Sequence, residues 1–169
     1  FNLLVAKIYP HLQMLNGVNY TENDIRHYLE PQSGSLFDSE SIGMNEAESE
    51  MFTFIQNNKR KGELTSMKKL EEKFGKRPYG WYLAAIQCVV AQLVGRGKLE
   101  AWQEGNLLEN GPLEKALKNT YNFNSLIFEP VKVTDPRVIL ALKKFHQEFF
   151  DEPTIENEAR GLVRSLQTK

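Results

Sequence analysis

The sequence predicts a mainly helical protein with a small β wing, an α+β winged helix-turn-helix core followed by C-terminal helices. Three observations lead there. Three capped apolar periodicities follow one another between Asn45 and Gly95. A hairpin turn, Glu104-Gly105-Asn106, joins two short β-type runs directly after them. The resulting order of helix, short strand, helix, turn, helix and hairpin is that of a winged helix. With 169 residues, 41% hydrophobic and 25% charged, the chain has room for one domain and a small annex, which excludes collagen, coiled coil and wholesale disorder.

Each element has its own local reason. Thr21-Glu-Asn-Asp24 has the spacing of an N-cap with an acid three residues on, and Ile25, Tyr28 and Leu29 follow at helical spacing until Pro31. These define an N-terminal helical segment, 1–31. Residues 32–44 are rich in Ser, Gly and Asp and read as a linker. Asn45 with Glu48 then caps a first helix whose stripe is Ala47, Met51, Phe54 and Ile55, ending at Lys59-Arg60-Lys61-Gly62. Leu64-Thr65 is expected as a one-ladder strand, and Ser66 caps a second helix through Met67, Leu70 and Phe74, stopped by Gly75.

Lys76-Arg-Pro-Tyr-Gly80 is a tight turn. After it, Leu83, Ile86, Val90 and Leu93 mark the face of a third, buried helix closed by Gly95 and Gly97. Lys98 to Gln103 and Leu107-Leu108 form the wing. Asn110-Gly-Pro112 is expected as a second turn, Leu113–Leu117 as a short helix and Ser125–Val133 as a strand, closing a winged-helix domain over 45–133. Asp135-Pro136 then opens a helix through Val138, Leu142, Phe145 and Phe149, and Pro153-Thr154 a last one, which together form a C-terminal helical extension over 134–169.

Several classes of function find no support. No stretch approaches the roughly 20 apolar residues of a bilayer span, so a membrane partner is not expected. The single cysteine, Cys88, excludes an internal disulfide framework and suits a cytoplasmic location. His11, His27 and His146 have no acid or cysteine at metal-ligand spacing, and Gly75-Lys76 is followed by Arg77 where a phosphate loop would need Ser or Thr. The sequence therefore offers no catalytic, cofactor-binding or metal site. The chain opens at Phe1 without a methionine or signal peptide and reads as a piece cut from a longer protein.

The net charge of -1 conceals a polarity. Thr21–Glu50 carries eight acids against one base, whereas Asn57–Lys98 carries ten bases against three acids. Those bases, Lys59, Arg60, Lys61, Lys68, Lys69, Lys73, Lys76, Arg77, Arg96 and Lys98, are the candidate partner-binding residues. Three readings stand side by side: solvated helix faces, contact with nucleic-acid phosphates, and docking of an acidic protein. Asn106 of the wing is a candidate addition to a phosphate-binding surface. The third helix has no Lys or Arg from Trp81 through Val94 and offers only Gln87 and Gln92 to base edges, so reading of a specific sequence is not expected. Pro78, Tyr79, Gly80 and Trp81 are read as a structural turn, with the two rings plugging the core rather than stacking on a partner.

The run Phe74 to Trp102, with its Arg-Pro-Tyr-Gly-Trp turn, apolar helix and Gly97-Lys-Leu99 exit, then Gly111-Pro-Leu113 and the strand near Phe128, resembles a segment of the large P-loop ATPases called BrxC or PglY, from bacterial BREX phage-defence systems. The similarity spans roughly Asn45 to Leu166. In that family the turn more often begins Pro-Pro, and Arg77 replaces the first proline here. The resemblance implies a parent ATPase that binds ATP and Mg outside this chain, with the rest of the parent and other defence-system proteins as partners. The expected function is accordingly a non-catalytic interaction module that docks protein partners or non-specific DNA. The alternative is a free-standing winged-helix transcriptional regulator.

Overall fold

The structure, a computed structural model, describes residues 2–30 and 43–131. The expected C-terminal helical extension, most of the linker, and positions 132–133 of the Ser125–Val133 strand lie outside the described residues, whereas Ser125 and Val131 are described and fall outside the observed strand, Ser125 in the turn before it.

Helix α1 (Asn2–Ile8) and a 3-10 turn (Pro10–Leu15) open the chain, neither of them marked by an amphipathic repeat. Helix α2 (Asp24–Leu29) follows, preceded by a turn in which Asp24 Oδ2 accepts from both the Thr21 N–H and the Thr21 hydroxyl at 2.8 Å. Helix α3 (Glu46–Arg60) starts in a full capping box: Asn45 Oδ1 accepts the Glu48 N–H at 2.8 Å and Glu48 Oε2 accepts the Asn45 N–H at 2.9 Å. The short strand β1 is Thr65–Ser66, and Leu64, expected within it, is exposed. Thr65 takes the inner position because its hydroxyl accepts a buried hydrogen bond from Asn58 Nδ2 at 3.0 Å. Ser66 caps helix α4 (Met67–Phe74), which a turn links to helix α5 (Leu83–Gly95).

Strands β2 (Leu99–Gln103) and β3 (Asn106–Leu108) form the wing, and helix α6 (Asn110–Lys118) follows directly. The expected turn at Asn110-Gly-Pro112 is thus the first turn of α6. A proline is tolerated there because the first few N–H groups of a helix have no intrahelical acceptor. Strand β4 (Leu126–Pro130) inserts between β1 and β2, giving a four-stranded antiparallel sheet in the order β1-β4-β2-β3. Alternation along the strands points Leu99, Ala101, Leu126 and Phe128 inward and leaves Glu100, Trp102, Ile127 and Glu129 on the other face.

The core is one cluster in which Met51, Ile55, Met67, Leu70, Phe74, Ile86 and Leu93 from the three-helix unit meet Phe128 and Leu113. The sequence places 1–31 outside the module, yet Leu15, Tyr20, Ile25 and Leu29 belong to that same cluster. A helix as short as α2 is not stable alone, and its apolar stripe needs an apolar surface to cover. Helix α5 supplies it.

Candidate interaction surface

The Arg77-Pro78-Tyr79-Gly80-Trp81 turn, with a cis Arg77–Pro78 bond, folds back on α4: the Trp81 N–H donates to Phe74 O at 2.9 Å, and the Tyr79 and Gly80 N–H groups to Lys76 O at 3.0 Å. Tyr79 and Trp81 are buried. The Trp81 ring stacks on Phe74 with centroids 4.7 Å apart, and its Nε1–H donates to His11 O at 3.0 Å. The Tyr79 hydroxyl donates to Glu50, and burial together with that carboxylate pushes the phenol up to about 12. Lys73 lies over the Tyr79 and Phe54 rings at 5.3 and 5.6 Å. Gly80 has φ +67, and a side chain there would strike the Tyr9 ring. The turn is a packing device joined to the N-terminal segment, with Lys76 and Arg77 on its outside.

The ten basic candidates divide in two. Lys59 pairs with Glu129 at 2.7 Å, Lys68 with Glu71 at 2.8 Å, Lys69 with Glu63, and Arg96 with the fully buried Glu48 at 3.1 Å. Lys73 is the cation over the two rings. Among the described residues, Arg60, Lys61, Lys76, Arg77 and Lys98 make no ion pair, and all five are exposed. They sit on three connections: the end of α3, the turn after α4, and the entry to β2. Two of these pairs use acids already counted within Asn57–Lys98, and only Glu129 and Glu48, from outside that window, offset part of its surplus of seven.

Helix α5 occupies the place of the DNA-reading helix in a winged helix, and it is buried almost all round. The Gln87 side chain, a candidate for base edges, is fully buried and donates through Nε2 to Leu117 O at 2.6 Å. Gln92 is turned toward the Tyr20 and Tyr28 hydroxyls, and its Oε1 is buried. At the C-terminal end, Gly95 faces the α2 backbone so closely that a side chain would collide with Tyr28 O. Cys88 is buried, its thiol donates to Thr21 O at 3.3 Å, and burial pushes its pKa up to about 12, so it is a protonated core thiol.

The wing departs from a phosphate-binding surface. From Leu99 through Glu114 there are four glutamates and no Lys or Arg, and Asn106 is the polar neighbour of an acidic tip rather than of a basic one. The acidic character of this stretch is legible in the sequence when 99–114 is counted by itself, and the net charge of -1 for the whole chain conceals it. Among the described residues no group of three or more His, Cys, Asp or Glu side chains is placed to hold a metal ion, and no helix is long and apolar enough to cross a membrane.

A family model described as the winged helix-turn-helix domain of the BREX ATP-binding protein BrxC matches residues 11–129. The match begins at His11, so it takes in α2 and most of the 3-10 turn along with the three-helix unit and the sheet. No solved structure matches the chain.

Proposed function

Because the chain belongs to the family of BREX BrxC winged helix-turn-helix domains, we propose that it is a non-catalytic interaction module of a P-loop ATPase and docks other proteins of the phage-defence system. The observation that carries this reading is the burial of α5, with Gln87 bonded to Leu117 O and Gly95 closed against α2. A winged helix that reads DNA presents this helix to the major groove. Here the helix is core, which argues against the free-standing regulator. Arg60, Lys61, Lys76, Arg77 and Lys98 are left for weak contacts to phosphates, which position a chain on nucleic acid without reading it. ATP and Mg belong, in this proposal, to a nucleotide site elsewhere in the parent protein.

The test is a full-length parent ATPase lacking residues 11–129, purified together with the other components of its system. The expected result is loss of at least one component from the complex while ATP hydrolysis persists. A complete complex with hydrolysis abolished would overturn the proposal.

A further inference from the structure

Among the described residues the wing has an unpaired edge. In the order β1-β4-β2-β3, strand β3 is terminal, and no other described strand pairs with its outer side. The turn between β2 and β3 has two residues, Glu104 at φ 51 and Gly105 at φ 81, so the flanking pair Gln103↔Asn106 is a hydrogen-bonded one. Alternation then makes Trp102↔Leu107 the non-bonded pair. The Leu107 N–H and C=O consequently face away from β2, at the free edge, and its side chain is 40% exposed.

Edges of this kind are blunted by shortness, by charge or proline on the strand, or by a bulge. Strand β3, Asn-Leu-Leu, is short but carries no charge and no proline. The turn that leads into it carries an exposed acid, Glu104, and the wing from Leu99 to Leu108 has no Lys or Arg.

We propose that the β3 edge binds an extended, lysine- or arginine-bearing segment of a partner protein as a fifth strand of the sheet. Backbone hydrogen bonds from Leu107 supply the register, its side chain supplies an apolar contact, and the acidic tip selects the charge of the incoming strand. A second copy of this chain is the wrong occupant, since antiparallel pairing of two such edges brings like-charged wings together. Nucleic acid is repelled for the same reason. The inference rests on the protein-docking reading above and identifies the surface and the chemistry of its partner.

The experiment uses the full chain labelled with nitrogen-15 and two probe peptides, acetyl-Lys-Val-Lys-Val-Lys-amide and its glutamate counterpart. The basic peptide is expected to shift the amide signals of Asn106, Leu107 and Leu108 and to slow hydrogen exchange at Leu107, and the acidic peptide to do neither. Leu107→Pro, which removes the outward N–H, should abolish the effect. Glu104→Lys, at an exposed turn position that leaves β3 unchanged, should weaken it severalfold even if the proline variant fails to fold. Absence of shifts, equal shifts with both peptides, shifts confined to α3 and α4, or concentration-dependent self-association through β3 would each overturn the proposal. If these fail while the deletion above still releases a component, docking stands and the edge is not its site.

Discussion

Arg96 Nε donates to Glu48 Oε1 at 3.1 Å, joining the C-terminal end of α5 to the first turn of α3. Glu48 is fully buried, and its second oxygen accepts the Asn45 N–H of the capping box, so one carboxylate both starts α3 and fastens it to α5. Arg96→Ala leaves that buried oxygen without its charged donor. The expected loss is about 1–3 kcal/mol of stability, the range for stranding a buried polar group. Urea denaturation with an unchanged midpoint would show that water replaces the guanidinium at no cost.

A second prediction concerns the seam between α2 and α5. A methyl group at Gly95 would collide with Tyr28 O, and a backbone oxygen cannot swing aside as a side chain can. Gly95→Ala is therefore expected to lift α2 from α5 and expose Ile25 and Leu29, while the sheet persists. Hydrogen exchange should show lost protection in Asp24–Leu29 with protection kept in β2 and β4. Uniform loss of protection would mean that α2 is integral to the cooperative unit.

The seam also marks where sequence reasoning stops. Helices α3 and α4 are legible because their ends are local: Asn45 with Glu48, and Ser66 ahead of Lys69, are contacts made within three residues. The insertion of β4 between β1 and β2 is not local, since Phe128 pairs with Thr65 and with Ala101 from far along the chain. Nor is charge pairing visible in a count. Lys59 and Glu129 are 70 residues apart, and only the fold shows that one compensates the other. Apolar spacing identified one buried face of α5, whereas its full enclosure depends on α2 and α6, which the sequence places outside the three-helix unit or beyond the wing.

Trp81→Ala is expected to cost about 3–5 kcal/mol, the range for deleting a buried large aromatic. The ring is 2% exposed, stacks on Phe74 and donates to His11 O, so its removal opens a cavity and leaves that carbonyl without its donor. Thermal melting reads the effect. A wild-type midpoint would require that the Tyr79 and Phe74 rings close the gap.

Alkaline pH should destabilise the protein through two buried acids of the same sign. Burial raises the Cys88 thiol from 9.0 to about 12, and burial with Glu50 raises Tyr79 from 10.0 to about 12. A group whose folded pKa lies above its unfolded value favours folding below the unfolded value, and that advantage is lost as pH rises toward the folded one. Stability should thus hold up to about pH 9 and fall between about 9 and 12. Ellman's reagent at pH 8 should react with Cys88 only after unfolding, and rapid reaction in the native state would contradict the burial.

Binding to DNA should be weak, steeply dependent on salt and indifferent to sequence. The warrant is the division of labour on the surface: the exposed cations Arg60, Lys61, Lys76, Arg77 and Lys98 lie outside α5 and can meet phosphates, while in α5 Gln87 is buried and Gln92 half-buried. Fluorescence anisotropy on two unrelated duplexes at low and moderate salt is the measurement. Charge reversal at Lys61, Lys76 and Arg77 should remove most of the low-salt affinity without changing the melting temperature, because none of the three makes an ion pair among the described residues. Gln87→Ala should do the opposite, lowering stability by removing the bond to Leu117 O and leaving affinity unchanged. A preference for one duplex that survives moderate salt and disappears with Gln87→Ala would mean that α5 leaves its enclosure on binding, and would turn the module into a reader of sequence.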